Sequence, residues 1–327
     1  MKPLVALARA LCVLTVLTLA VSALPAAAQN YPTRPIKIIV PFGAGGPADI
    51  FARVLGKEME GPLGQPVVVE DKPGAGSIIG SDAVAKSAPD GYTLLMMSNT
   101  HTVNETLIPK KPFVLLRDLA PVAPVNYSDL LLVVHPSVPA NNLKELIALA
   151  KREPGKMNYA SSGPGTPYHM AGELLKSMAG IDVVHVPYKG SDGARVGILG
   201  GQVQMMFDAI TTMAPNVRAG KLKGFGTSGR ARSSVLPETP TVSEAGVAGY
   251  ESTIWLGLVA PKGTPKAVVD RLNAEIRKIT GSAEVKAAWA KQGATPLDMS
   301  PGEFEQYLRD DIAKWAKVIA QAGIKLD

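Results

Sequence analysis

Short apolar runs rich in β-branched residues alternate with amphipathic stretches along the chain. The first part of this pattern predicts strands at residues 36–41, 67–70 and 93–97, with helices at residues 47–59 and 77–87 between them. Strands that alternate with helices in this way form a parallel sheet with helices on both faces. The opening third of the chain therefore predicts a βαβαβ unit.

The same alternation restarts near residue 130. Asn141 and Asn142 are well placed to cap a helix that follows them. The predicted strands cover residues 130–134, 157–160, 182–186 and 205–208, and the predicted helices cover residues 143–151, 168–178 and 194–199. Two similar α/β layouts in series predict two lobes.

The last part of the chain has a helical pattern at residues 268–280, 283–292 and 301–322, and a capping box at residues 300–303 opens the last helix. Because these helices alone cannot bury a separate core, we expect them to pack back on the first lobe. The chain would then cross between the lobes near residues 126–131 and 248–256, which makes a hinge. The predicted α/β fold has lobe one at residues 29–130 plus 251–327 and lobe two at residues 131–250, joined by a two-strand hinge.

The amino terminus has the pattern of an export signal. Lys2 and Arg9 precede an apolar run that ends at Leu24, and three alanines at residues 26–28 form a small-residue cleavage site. We predict a signal peptide at residues 1–28, cleaved near Ala28. Cleavage removes Cys12, which is the single cysteine of the sequence, so disulfides and thiolate chemistry are excluded from the mature chain.

Charge and aromatic content argue against nucleic acid as a partner. Without Lys2 and Arg9, the 34 basic residues fall to 32 against 28 acidic residues, which leaves a net charge of +4. The basic residues are scattered, and aromatic residues make up 5% of the chain. Proteins that bind single-stranded nucleic acid interleave basic and aromatic side chains, and this chain does not.

Two glycine-rich loops, at residues 40–49 and 161–169, each occupy a predicted turn from strand to helix. Glycines let the backbone approach a ligand closely, and the N–H groups at a helix start favour a carboxylate or phosphate. Gly43, Gly45 and Ala48 also fit a dinucleotide fingerprint, but the export signal and Pro47 argue against it. A purely structural turn is the simpler alternative for either loop alone. Both loops together suggest a cleft that grips an anion from two sides.

Motifs for catalysis and metal binding are weak. The sequence has no G-x-S-x-G elbow, and its four histidines form no close pair of metal ligands. Asp49 stands in a first helical turn, where a carboxylate stabilises the helix dipole. A hydrolase assembled from distant residues and a ligand sensor remain alternatives to a binding protein.

Nine short motifs carry a resemblance that spans nearly all of the mature chain. They are YPTRPI at 31–36, VPFGAGGPAD at 40–49, PGAG at 73–76, PDGYTL at 89–94, NYASSG at 158–163, HVPYKG at 185–190, GGQV at 200–203, PTVSEAG at 240–246 and APKGTP at 260–265. In this order and spacing they resemble the tripartite tricarboxylate transporter substrate-binding family, also known as the Bordetella uptake proteins.

The resemblance implies a periplasmic binding protein of the type II-like, Venus flytrap class. Such a protein closes on a small carboxylate and delivers it to an inner-membrane permease with one large and one small subunit. It catalyses no reaction and needs no cofactor, and we expect a monomer. The implied ligand-binding residues are Phe42, Gly45, Gly46 and Asp49 in lobe one, Ser161, Gly163, Thr166 and His169 in lobe two, Asp208 at the far end of the cleft, and Ser98 and Asn99 as further candidates.

The identity of the carboxylate stays open at this stage. Dicarboxylates and tricarboxylates, acidic amino acids and aromatic acids all present the same group to the same loops. Asp208 is unexpected near an anion site. Our hypothesis is that it accepts hydrogen bonds from a ligand ammonium, a ligand hydroxyl or an ordered water.

Overall fold

The computed structural model describes residues 31–325. The predicted signal peptide at residues 1–28 therefore lies outside the described residues. Within them, none of the helices is long and apolar enough to cross a membrane.

Three parallel strands open the fold. They are β1 (Ile36–Val40), β2 (Val67–Asp71) and β3 (Thr93–Ser98), and β1 lies between the other two. The connecting helices are α1 (Pro47–Leu63), α2 (Ile78–Ala85), α3 (Asn99–Leu107) and the short α4 (Leu115–Asp118). The βαβαβ unit predicted from the alternation of apolar runs is present.

A single long strand, β4 (Leu119–Val134), then passes through both parts of the sheet. Up to Asp129 it pairs antiparallel with β9 (Thr253–Pro261), and from Leu130 onward it pairs with β7 (Met205–Ala209). Its register shifts next to Pro121 and Pro124, because proline cannot donate to the ladder. The sequence pattern predicted only residues 130–134 as a strand, since prolines interrupt the earlier part.

After β4, the chain repeats the alternation of strands and helices. The strands are β5 (Asn158–Ser161), β6 (Val184–Pro187), β7 and β8 (Lys223–Thr227), and the helices are α5 (Leu143–Arg152), α6 (Pro167–Ala179), α7 (Ser191–Leu199) and α8 (Ile210–Arg218). Strand β5 is parallel to both β6 and β7. The strand order across the sheet is β2-β1-β3-β9-β4-β7-β5-β6, with β8 and β10 (Ala294–Pro296) also paired to β4. We call β2, β1, β3 and β9 the first half-sheet, and β7, β5, β6 and β8 the second half-sheet.

The carboxyl-terminal helices are α9 (Lys266–Gly281), α10 (Ala283–Lys291) and α11 (Pro301–Ala322). Leu272 and Ile276 of α9 and Trp289 of α10 belong to the same buried cluster as Ile36 and Phe51 of the first half-sheet and its helices. The rings of Trp289 and Phe51 meet edge to face with centroids 5.1 Å apart. The packing follows the arrangement expected from the sequence, while the lobe boundaries at residues 130 and 250 stay predictions.

Helix α11 touches both parts of the fold. Trp315 and Ile319 of α11 share a buried cluster with Val103 of α3 and Met170 of α6. Because α3 follows the first half-sheet and α6 follows β5, this apolar cluster links the two halves away from the sheet. Met170 is completely buried there.

Truncation of Met170 should be costly. We expect Met170→Ala to lower the free energy of unfolding by about 2–5 kcal/mol, because it leaves a cavity between α6 and α11. Met178 lies on the same helix but is 41% exposed, so Met178→Ala should change stability by less than about 0.5 kcal/mol. Denaturation of both variants with urea tests the expectation. Equal losses in the two variants would contradict it.

Candidate functional site

A cavity of about 550 Å³ opens where the two half-sheets meet. Its walls are the loops that follow β1, β2 and β3 on one side and β5 and β6 on the other. These loops leave the carboxyl ends of parallel strands, which is where α/β folds commonly bind ligands. Ile254 and Leu256 of β9 also line the cavity.

Five helices in the described part of the chain begin at the cavity wall. The residues that line the wall at these starts are Gly46 for α1, Ser77 for α2, Ser98 for α3, Thr166 for α6 and Gly190 for α7. The N–H groups and the dipole at a helix start attract anions. The fold therefore concentrates five such starts on one cavity.

The loop after β1 places two of its predicted residues at the cavity and two behind it. Phe42 and Gly46 line the wall. Gly45 has φ +74°, and its N–H donates to the Asp49 carboxylate over 2.9 Å. Asp49 is buried and pairs with Arg53 over 2.6 Å. Asp49 thus holds the loop in shape from its far side.

Arg53 extends this support to the next strand. Its Nη2 lies 2.8 Å from the Asp71 carboxylate at the end of β2. Burial and the neighbouring Asp49 raise the pKa of Asp71. One guanidinium thus bridges the carboxylates behind two cavity loops. Apart from the i, i+4 spacing between Asp49 and Arg53, no sequence pattern indicates this role of Arg53.

The loop after β2 was missed as a site element. Four consecutive residues have positive φ, including Ala75 at +48° and Ser77 at +77°. Left-handed backbone is unfavourable for residues with a Cβ, and such strain is concentrated at functional sites. All of residues 73–77 line the cavity. The PGAG motif carried the resemblance, but its glycines were not assigned to the cavity.

The two further candidates after β3 have different positions. Ser98 lines the cavity and caps α3, since its Oγ accepts from Thr100 N–H over 3.2 Å. Asn99 is buried, and its side-chain amide donates to the Thr253 carbonyl at the start of β9 over 3.1 Å. Asn99 therefore ties α3 to β9 of the first half-sheet.

In the loop after β5, Gly163 and Thr166 line the cavity, whereas Ser161 is completely buried. The Thr166 hydroxyl donates to the Gly163 carbonyl over 2.7 Å and caps α6. Ser161 Oγ lies 2.6 Å from His185 Nε2 and also bonds to Gly163. A serine–histidine pair is present, but its serine is enclosed beneath the loop.

His169 lies directly behind this loop. Its Nδ1 accepts from Gly165 N–H over 3.1 Å, and its ring stacks on His185 with centroids 4.1 Å apart. Burial lowers the pKa of His169 to about 4, and burial with the neighbouring His169 lowers that of His185 to about 3. Both rings are neutral at physiological pH, which leaves Nδ1 of His169 free to accept. His169 supports the binding loop from beneath.

Asp208 lies at the end of β7 and outside the cavity lining. It is completely buried, and its two oxygens lie 2.6 and 3.3 Å from Nε and Nη2 of Arg195. It also accepts from Ala209 N–H over 2.7 Å. This geometry argues against our hypothesis that Asp208 meets a ligand ammonium, because Arg195 already occupies the carboxylate. Arg195 and Asp208 are thirteen positions apart in the sequence, so no local motif indicates the pair.

The loops of the two halves meet beside Asn104 of α3. Its amide donates to the Gly76 carbonyl over 2.8 Å, and a Cβ at Gly165 would lie only 2.7 Å from its Oδ1. Gly165 can approach this closely because it lacks a side chain, and its φ of +73° also favours glycine. The cavity is thus closed on this side by contact between the halves.

The cavity carries little formal charge. Of the described residues that line it, Lys189 is the one charged side chain, and none is Asp or Glu. Within residues 31–325, no three His, Cys, Asp or Glu side chains group as ligands for a metal ion. The chemistry on offer is therefore backbone N–H groups, hydroxyls, one ammonium and apolar surface.

The model of the tripartite tricarboxylate transporter family receptor matches residues 51–324. The chain belongs to this family. The protein BugT of Bordetella pertussis is 39% identical over 306 residues, which cover 93% of this chain and 94% of BugT. The resemblance drawn from nine motifs is confirmed, and this family is one of substrate receptors.

Solved structures agree with this assignment. The periplasmic binding protein BugD matches with a TM-score of 0.84 and 34% identity over 90% of this chain and 99% of BugD. Rpa4515 of R. palustris with adipate matches with a TM-score of 0.87 and 31% identity over 90% and 99% of the chains. MatC of Rhodopseudomonas palustris with bound malate gives 0.82 and 32% over 88% and 100%. The α/β fold of the two-lobed periplasmic binding class is confirmed.

Substitution of Asp208 can distinguish a structural role, as the partner of Arg195, from a role in contacting the ligand. Asp208→Asn should lower the stability of the receptor by about 3 kcal/mol, because it leaves a mostly buried guanidinium without its carboxylate. Asp192 also contacts Arg195, but its side chain is 77% exposed, so Asp192→Asn should stay close to the wild type. Chemical denaturation measures both. A stable Asp208→Asn variant with impaired binding of amino acids alone would contradict this assignment.

Neutral buried histidines make the receptor sensitive to acid. The ordinary histidine pKa of 6.5 applies to the unfolded chain, whereas that of folded His169 is about 4. The unfolded chain therefore binds protons first, and we expect the free energy of unfolding to fall as the pH drops from about 6.5 to about 4. His169→Asn keeps an acceptor near Gly165 and removes one titrating group, so its decline should be shallower. Denaturation across this pH range measures the decline in both proteins. If the free energy of unfolding falls equally steeply with pH in the wild type and in His169→Asn, the assignment is contradicted.

Proposed function

We propose that the chain is a periplasmic solute-binding receptor that holds a small carboxylate between its two halves and delivers it to the inner-membrane permease of a tripartite tricarboxylate transporter. The convergence of five helix starts on a cavity whose lining, within residues 31–325, holds no acidic residue carries this proposal. A carboxylate is the common metabolite group that such a surface favours, because N–H donors complement its oxygens and no like charge opposes it.

The energetics require both halves to take part. A helix start contributes about 0.3–1 kcal/mol to an exposed anion and up to about 2 kcal/mol when it is partly buried. Micromolar affinity needs about 8 kcal/mol. Several helix starts, enclosed hydrogen bonds and apolar burial must therefore act together, which only a closed cavity allows. The contact of both loops at Asn104 supports closure as part of binding.

The solved relatives support the ligand class. Rpa4515 was determined with adipate and MatC with malate, and both are dicarboxylates. Family membership supports the permease as the partner. The predicted signal at residues 1–28 supports export to the periplasm, where such a receptor would meet its solute.

A thermal-shift screen of the mature chain from Gln29 tests the proposal. The panel contains monocarboxylates, dicarboxylates, tricarboxylates, acidic amino acids and aromatic acids. A ligand at a hundredfold above its Kd adds about 2.7 kcal/mol of stability, which raises the midpoint by several degrees. A hit confined to one class of carboxylate supports the proposal and identifies the solute. The absence of any hit, with native mass spectrometry confirming ligand-free protein, contradicts it.

Lys189 should strengthen binding without being essential to it. Lys189→Gln removes the one charged side chain of the described cavity lining, so we expect affinity for a carboxylate from the screen to fall about 3- to 10-fold. The loss should shrink as salt is raised, because Lys189 is exposed and screened. Calorimetric titration at low and high salt measures it. Lys221→Gln, an exposed lysine outside the lining, is the control, and an equal loss there would contradict this role of Lys189.

A further inference from the structure

The cavity has an apolar wall that both halves contribute. Phe42, Ile254 and Leu256 come from the first half-sheet, and Tyr168 and Tyr188 come from the second part of the fold. We call these five residues the apolar wall. Five prolines also line the cavity at residues 41, 47, 73, 164 and 167, and proline has no N–H to offer a ligand.

Two aromatic members of the apolar wall are held in place. Tyr188 lies against α7, where a Cβ at Gly197 would stand 2.3 Å from its hydroxyl oxygen and a Cβ at Gly193 would stand 3.2 Å from its ring. Because Gly193 and Gly197 lack side chains, the Tyr188 ring packs directly against the backbone of α7. Phe42 packs edge to face on the buried His101 with ring centroids 5.8 Å apart. The apolar wall is a fixed surface of the cavity.

Two side-chain hydroxyls at the cavity, those of Thr166 and Ser98, are engaged in shaping its loops, whereas the buried Ser77 Oγ has no partner among the described residues. Thr166 donates to the Gly163 carbonyl, and Ser98 accepts from Thr100 N–H. A ligand hydroxyl placed against the apolar wall finds no polar side chain there, and burial of a hydroxyl without a partner is costly.

A ligand ammonium also lacks a partner in the described cavity lining. The described cavity lining contains no carboxylate, and the nearby Asp208 is paired with Arg195. The Lys189 ammonium would also repel a second positive charge. Carboxylates can bind to the helix starts, whereas the remaining surface suits hydrocarbon.

From these contacts we infer that the receptor selects carboxylates whose body is hydrocarbon, either a methylene chain or an aromatic ring, over hydroxylated and amino acids of the same size. This inference rests on the proposed carboxylate function. The carboxylates bind at the helix starts, and the hydrocarbon packs against the apolar wall. Each methylene buried against the apolar wall is favourable, whereas a hydroxyl or ammonium placed there loses hydration without gaining a partner.

Matched pairs of ligands test the inference with the wild-type receptor. Adipate and galactarate are six-carbon dicarboxylates that differ by four hydroxyls. Adipate and 2-aminoadipate differ by one ammonium, and benzoate and gallate differ by three hydroxyls on a ring. By isothermal titration we expect the hydrocarbon member to bind at least about 100-fold more tightly than galactarate or gallate, and adipate at least about 10-fold more tightly than 2-aminoadipate.

The outcomes separate this inference from the proposed function. If galactarate, gallate or 2-aminoadipate binds as tightly as its partner or more tightly, the inference is overturned while carboxylate binding stands. If only one pair binds and its hydrocarbon member is preferred, the inference is supported for that ligand shape. If no carboxylate of the panel binds, both the inference and the proposed function are overturned.

A substitution in the apolar wall gives an independent readout. Ile254→Thr adds a hydroxyl at the cavity surface, so the ratio of adipate to galactarate affinity should fall at least about threefold. Val259→Thr is the matched control, because Val259 lies on the same strand and is also buried but does not line the cavity. The ratio cancels any general loss of stability. An unchanged ratio in Ile254→Thr, or an equal fall in Val259→Thr, would contradict the role of the apolar wall.

Discussion

The pairing of β4 with strands of both half-sheets is the constraint on which the site depends. Up to Asp129 this strand is bonded to β9, and from Leu130 it is bonded to β7. The carboxyl ends of the parallel strands in each half therefore face one another across β4 and β9, and their loops enclose a single cavity. At the change of partner, burial and the nearby Glu251 raise the pKa of Asp129 to about 6.

Binding through backbone groups requires a rigid layer behind them. Rotation of a side chain does not change the direction of a backbone N–H group. That direction is set by the conformation of the loop, and therefore by the side chains that hold the loop. Arg53 holds two loops of the first half-sheet, and the stacked His169 and His185 hold the loop after β5. Arg195 and Asp208 do the same beside α7. The polar groups nearest the cavity thus act mainly on the protein itself.

This division explains what could be predicted from the sequence. Glycine loops and helix starts are local features, so the pattern located both loops and eight of the eleven helices in the described residues. It did not separate residues at the cavity, such as Gly46 and Thr166, from residues beneath it, such as Asp49 and His169. All four stand within a few residues of a glycine turn, and only the packing of the loop decides which side each faces. Partners distant in sequence, such as Arg195 for Asp208, left no local signal.

The same logic places selectivity away from the anion site. Helix starts attract any carboxylate, because the dipole responds to charge and not to the rest of the molecule. Discrimination among acids must therefore come from side chains that touch the ligand body. In the proposed binding mode those side chains are the ones of the apolar wall, which line the cavity. Substitution at these positions can change the preferred acid while the loops, their supporting pairs and the strand junction stay as they are.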